Sequence, residues 1–143
     1  MNYINNATST LEQICLDCKD YKTEDCIKAK CNIGFALSAM KSIEKNGLSV
    51  IEDGFRLIPK EDVKFYDKKM IAICAAAICK TCKQCMEGHN ENCCVSLARR
   101  SIESIVLKEI IDYPGNMLAY IIKVVEQDQD FADLIRKEIM LLD

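Results

Sequence analysis

A three-cysteine pattern occurs twice in this chain, and no other feature restricts its fold as tightly. Cys15 and Cys18 form a CxxC pair followed, after seven residues, by Cys26; Cys82, Cys85 and Cys93 repeat that spacing 67 residues later. Polar positions within the two copies also correspond: Asp20 with Glu87, Glu24 with Glu91, and Asp25 with Asn92. On a helix, positions i and i+3 share a face, so each CxxC pair can aim both sulfurs at one centre. The seven-residue link then reverses the chain. The third cysteine is expected in the first turn of the next helix, three residues after a cap at Thr23 or Asn90. There the free N–H groups and the helix dipole suit an anionic sulfur. Each copy reads as a helical hairpin whose sulfurs converge at its corner.

A closed four-sulfur site needs one more ligand per copy. Cys31, five residues past Cys26, completes the first; Cys79, three residues before Cys82 and on the same helical face, completes the second. The candidate metal ligands are therefore Cys15, Cys18, Cys26 and Cys31, and the candidate cofactor ligands are Cys79, Cys82, Cys85 and Cys93. The fourth ligands are not equivalent between the copies, and Cys31 can instead serve the second copy or pack in the core. Of the ten cysteines two remain. Cys74 is expected to pack as a small hydrophobe. Cys94, turned about 100° from Cys93 on a helix, is a poorer ligand.

Ten cysteines could also form five disulfides in an exported chain. The N-terminal residues lack a basic segment followed by an apolar one, so no signal peptide is read. The longest apolar run, residues 70–79, is ten residues long and flanked by Lys68, Lys69 and Lys80. A run of that length does not cross a bilayer. The expectation is a cytoplasmic protein with reduced thiols, in which closely spaced cysteines hold metal.

Periodicity predicts an all-α bundle of five to six helices with one small β-hairpin, built around the two cysteine-bearing helical hairpins. With five Gly and two Pro, neither a disordered chain nor a turn-rich β-sandwich is indicated. Helices are expected over residues 8–18, from Thr23 to about Lys45, from Lys60 or Asp62 to about Met86, and over 91–112. The hairpin is placed at 48–58, with Asp53-Gly54 as its turn. Gly88, His89 and Asn90 read as a polar loop. Pro114-Gly115 breaks the fourth helix, and 116–142 is helical with a kink near 127–130. These boundaries suggest a cysteine-rich helical metal-binding domain, 1–113, and a C-terminal helical segment, 114–143, packing on the bundle or on a partner.

Thiolate sets suit iron–sulfur clusters, zinc or, as soft ligands, Cu(I). Cys79, Cys82 and Cys85 form a CxxCxxC run that resembles the first three ligands of a bacterial ferredoxin cluster. The resemblance implies a cubane at the second copy; it spans seven residues, and the fourth cysteine and proline of that pattern do not follow. The stretch from Cys82 through His89 to Cys93 is similar to part of the cysteine-rich four-helix-bundle copper-storage proteins. The region after Cys94 has no cysteine, so a copper-filled core is not expected. The first copy, CxxC-x7-C-x4-C, also accommodates zinc. His89, the one histidine, reads as a solvated loop residue, with a ligand role or a hydrogen bond to cluster sulfide as the alternatives.

Nucleotide-binding, zinc-protease and serine-hydrolase motifs are missing, and so is the CxxxCxxC of radical chemistry. A net charge of −3 and no Trp argue against nucleic acid, and Arg99-Arg100 is too short a basic run to reverse that. The expected function is cysteine-ligated metal binding, with one iron–sulfur cluster or two [4Fe-4S] clusters and a role in electron transfer or redox sensing. The alternative is a zinc-stabilised helical interaction module without catalysis. A thiol-redox enzyme is disfavoured because both CxxC pairs end helices rather than begin them. The expected partner is a protein, a redox partner or a docking protein, with a homodimer through 116–142 allowed.

Overall fold

The computed structural model describes residues 3–19, 21, 23–24, 26–27, 30–46, 50–60, 62, 66–83, 93–111, 114 and 116–142, the side chains of 3, 4, 82 and 83 excepted. Seven helices are assigned among them: α1 (Tyr3–Asp17), α2 (Asn32–Asn46), α3 (Gly54–Leu57), α4 (Lys68–Lys83), α5 (Cys94–Val106), α6 (Met117–Gln127) and α7 (Gln129–Leu142). The molecule is predominantly helical, as the periodicity predicts. No helix among the described residues is long and apolar enough to cross a membrane.

Four helices close a ring. α1 packs on α2 and α4, and α5 packs on the same two helices from the other side. Each contributes an apolar stripe at helical spacing: Ala7, Leu11 and Ile14 from α1, and Ile33, Leu37, Met40 and Ile43 from α2. α7 lies against α4, and α6 against α7. α4 is thus covered by three helices, and its residues 74–81 are all buried. Ala75, Ala76 and Ala77 keep that helix thin enough to be packed from several directions. Truncating a large member of this core, such as Leu11 at 0% exposure, to alanine costs about 2–5 kcal/mol.

Several expected boundaries move. The hairpin at 48–58 is not found: among the described residues there, Gly54–Leu57 form a single helical turn, and Val50 makes one isolated antiparallel bridge with Cys93. Asp53 takes the positive φ (55°) that suggested a hairpin turn. The chain then coils inward because Gly54 presses on α5, where a Cβ would lie 2.4 Å from Leu97 Cδ1. Packing against a helix outweighs pairing of two short strands.

The second helix begins at Asn32, not after Thr23. Residues 19–30 carry many charges and no continuous stripe, and Ile27 is exposed; Cys26 N–H bonds Thr23 O (3.1 Å) in a turn instead. The third helix begins at Lys68, not near 60, because Asp67 caps it: its Oδ1 accepts Lys69 N–H at 3.0 Å. The fourth spans Cys94–Val106, shorter than 91–112. The kink expected near 127–130 is a full break at Asp128, whose N–H bonds Val124 O (2.8 Å) while its Oδ1 accepts Phe131 N–H (2.9 Å). One residue closes α6 and caps α7.

α5 carries a polar knot inside the bundle. Arg99 grips both carboxylate oxygens of Glu103 (2.6 and 2.8 Å) and donates to Ile111 O (2.8 Å). Tyr120 of α6 donates its hydroxyl to the same carboxylate and lies 5.4 Å from the guanidinium. Burial pushes Glu103 upward, against the pull of Arg99 and of the Tyr120 hydrogen bond. Burial works most strongly against the Arg99 cation, but Glu103, Tyr120 and Cys79 together outweigh it and the net shift is upward. An ion pair this deep is tolerated because its donors and acceptors are matched.

Candidate metal centre at the α1–α2 corner

The first CxxC pair straddles the end of α1. Cys15 is helical; Cys18 follows the helix end and its N–H closes a tight bond to Cys15 O (3.1 Å), after which Tyr21 N–H bonds Cys18 O (3.1 Å). The chain has reversed by Cys31, whose carbonyl accepts Phe35 N–H at 2.8 Å as α2 begins. Between these points lies a cavity of about 390 Å³, lined by Cys15, Cys18, Cys26 and Cys31 together with Tyr21 and Tyr66. All four cysteines are free thiols, partly buried. Its apolar wall comes from Ile14, Ile33 and Leu37, and its rim from the Glu12–Lys41 ion pair at 3.1 Å.

Cys31 is the most supported of the four. Its Sγ lies 3.4 Å from the Gly34 N–H in the first turn of α2 and 3.2 Å from the Tyr66 hydroxyl. Tyr66 donates in turn to Asp62 Oδ2 (2.7 Å), and the same oxygen accepts Asn32 N–H (2.9 Å). Burial, then the neighbouring Cys31 and Asp62, push the Tyr66 phenol far upward, so it stays a hydroxyl that can both give and accept. This chain ties the segment before α4 to the start of α2 and fixes one wall of the cavity.

The structure thus brings the four first-copy residues to one cavity, though not as a preformed single-ion cage. Among the described residues no three His, Cys, Asp or Glu side chains are close enough to hold one metal ion. The two corners also differ from the expected design. Cys26 lies six residues before α2 rather than in a first helical turn, and Cys93 is the residue just before α5 rather than three residues past a cap.

Of the second set, Cys79 is fully buried in the core, close enough to Arg99 and Tyr120 to influence both. Cys93 is partly buried and packs at the core edge. The Cys82 side chain, Cys85 and His89 lie outside the described residues. Cys74 is buried as expected; burial, with a contribution from nearby Cys15, pushes its thiol far upward. Cys94 is likewise buried.

Sequence reasoning missed Tyr66 and Asp62. Both fall in the charged stretch 60–69, which alternates sign and reads as a solvated helix face. The detectable signal was aromatic: Tyr66 is a large amphipathic side chain in a segment otherwise made for water. Compared with known protein families, with curated proteins and with solved structures, the chain matches none.

Proposed function

We propose that this protein is a cysteine-ligated metal-binding protein whose first repeat holds an iron–sulfur cluster at the α1–α2 corner, serving electron transfer or redox sensing. The observation that carries the reading is the convergence of Cys15, Cys18, Cys26 and Cys31 on one cavity. Four thiolates around a space suit soft, polynuclear iron–sulfur chemistry. A lone tetrahedral zinc ion, with Zn–S near 2.3 Å, would draw its sulfurs to about 3.8 Å from one another. The Gly34 N–H beside Cys31 is the kind of donor that tunes a ligand sulfur from outside the first ring of ligands.

The test is iron, acid-labile sulfide and zinc quantitation on protein purified without oxygen from cells supplied with iron and cysteine. The expected result is stoichiometric iron and sulfide with visible absorbance that bleaches with dithionite. Cys18→Ser should lower that content, and Cys74→Ser should not. Colourless protein with one tightly held zinc ion would replace this reading with the zinc-stapled module. Protein holding neither metal would remove both.

A further inference from the structure

A cysteine that takes up metal must lose its thiol proton. At Cys31 the hydrogen bonds fix where that proton points. The Tyr66 hydroxyl carries a single hydrogen and gives it to Asp62 Oδ2 at 2.7 Å, since an ionised carboxylate can only accept. The contact between Cys31 Sγ and Tyr66 Oη, at 3.2 Å, is therefore made with the sulfur's hydrogen: the thiol donates and the phenol oxygen accepts. The chain has a direction, from Sγ–H through Oη–H to a carboxylate.

We propose that Tyr66 and Asp62 are the proton exit of Cys31, carrying its thiol proton away as the sulfur takes up metal. The inference rests on the reading of Cys31 as a metal ligand and holds for iron and for zinc. As the sulfur–metal bond forms, the S–H bond breaks and both its electrons stay on sulfur. That proton passes to Tyr66 Oη while the phenol's own hydrogen passes to Asp62 Oδ2. Asp62 is partly exposed and releases the proton to water. Tyr66 and Asp62 end as they began, a hydroxyl and a carboxylate, and one proton has left the site. After the shift the Tyr66 O–H points at the sulfur, so the oxygen that accepted from the thiol now donates to the ligand thiolate.

The geometry suits such a route. Asp62 Oδ2 also accepts the N–H of Asn32, the residue after Cys31, at 2.9 Å. The chain thus closes on itself, and thiol, phenol and carboxylate are held in one ring of contacts. An aligned chain of this kind passes a proton without first reorganising. On the sulfur itself, the Gly34 N–H at 3.4 Å supports the negative charge that grows there. Glu12, the carboxylate among the described lining residues of the cavity, is half exposed at the rim and paired with Lys41 at 3.1 Å. It lies outside this ring.

The experiment follows cadmium-ion uptake by the metal-free, reduced full chain, mixed rapidly without oxygen and read by thiolate-to-metal absorbance in the ultraviolet. The phase lost in Cys31→Ser belongs to Cys31. In the wild type that phase should run slower in deuterium oxide. Asp62→Asn keeps an oxygen for both hydrogen bonds but cannot take a proton there, and should slow the phase at least about tenfold. Imidazole added as an external base should restore the rate with the final absorbance unchanged, a recovery that a merely structural role would not give. Tyr66→Phe should behave alike, and it decides if Asp62→Asn loses its helical circular dichroism spectrum. No isotope effect in the wild type, or an unchanged rate in a folded variant, overturns the exit and leaves the metal reading standing. Absorbance without a phase that depends on Cys31 also overturns the exit. No thiolate–metal absorbance at all removes the exit and the metal reading together.

Discussion

Cys31 and Cys79 are each the fourth member of a candidate ligand set, yet they sit in opposite surroundings. Cys31 stands at the start of α2, its sulfur beside an N–H and a hydroxyl on the wall of an open cavity. Cys79 is sealed in the middle of the bundle, within reach of the Arg99–Glu103–Tyr120 knot. The difference follows from the helix that carries each residue. α4 is packed by α1, α5 and α7, so every residue from 74 to 81 is buried. The α1–α2 corner lies where the chain leaves one helix and enters the next, so its sulfurs stay partly accessible. A matching place in the two cysteine sets does not carry an identical environment; the packing against the element decides whether a thiol faces a cavity or becomes core material.

The sharpest way to break the comparison is through the knot beside Cys79. Glu103→Ala leaves the Arg99 guanidinium buried without its carboxylate. The expected loss is about 3–5 kcal/mol, a large part of the roughly 5–15 kcal/mol that holds a domain of this kind together. Urea denaturation followed by far-ultraviolet circular dichroism measures it. A loss below about 1 kcal/mol would mean that the knot is more hydrated than its burial indicates.

Serine substitution at the two kinds of cysteine comes next in size. Cys74→Ser and Cys79→Ser place a hydroxyl in apolar core and should cost about 1–3 kcal/mol. Cys18→Ser, at the partly exposed corner, should change the stability of the metal-free protein by less than about 0.5 kcal/mol. The pattern inverts if metal and sulfide content is read instead, where only the corner variant loses. Tyr66→Phe falls between them. It removes the hydroxyl shared by Cys31 and Asp62 and should cost about 1 kcal/mol, detected as a lower thermal midpoint with helix content unchanged.

The helical class, the α1 and α2 stripes and the break near Asp128 were legible because each is a local pattern: apolar residues every three or four positions, or a capping side chain between two such runs. Cys15, Cys18, Cys26 and Cys31 line one cavity because the chain reverses between α1 and α2, a reversal that the polar linker after Cys18 suggests. What stayed hidden was decided by contact between distant residues. Gly54 turns into a helix because Leu97 is above it, and Tyr66 reaches Cys31 across 35 positions. Arg99 and Arg100 read only as a short basic run, yet both are buried. The i, i+4 relation of Arg99 to Glu103 was present in the sequence, but nothing local distinguishes a buried pair of that kind from a surface one.

A small effect tests a solvent-accessible counterpart to the Arg99–Glu103 pair. Lys68 Nζ meets Asp128 Oδ2 at 2.8 Å, with both side chains partly exposed. Asp128→Asn keeps an amide oxygen able to cap α7 but removes the charge, so the expected loss at neutral pH is about 0.5 kcal/mol. Burial pushes the Asp128 carboxyl upward, but Lys68, through its hydrogen bond and its charge, and the N–H groups of Phe131 and Asp130 together outweigh that and hold it below its ordinary 3.8. Its contribution is therefore complete above pH 3.8 and disappears as the pH falls through the lower folded value. Lys68 is raised above its ordinary 10.5, chiefly by the same hydrogen bond, so its side of the pair is complete below that pH and fades as the pH climbs through the higher folded value. Thermal midpoints of the two proteins should differ across the middle of the pH range and converge at both ends. A gap that persists at acid pH would assign the effect of Asp128 to its cap rather than to its charge, and would make the buried knot the one ion pair of the two whose charge matters to stability.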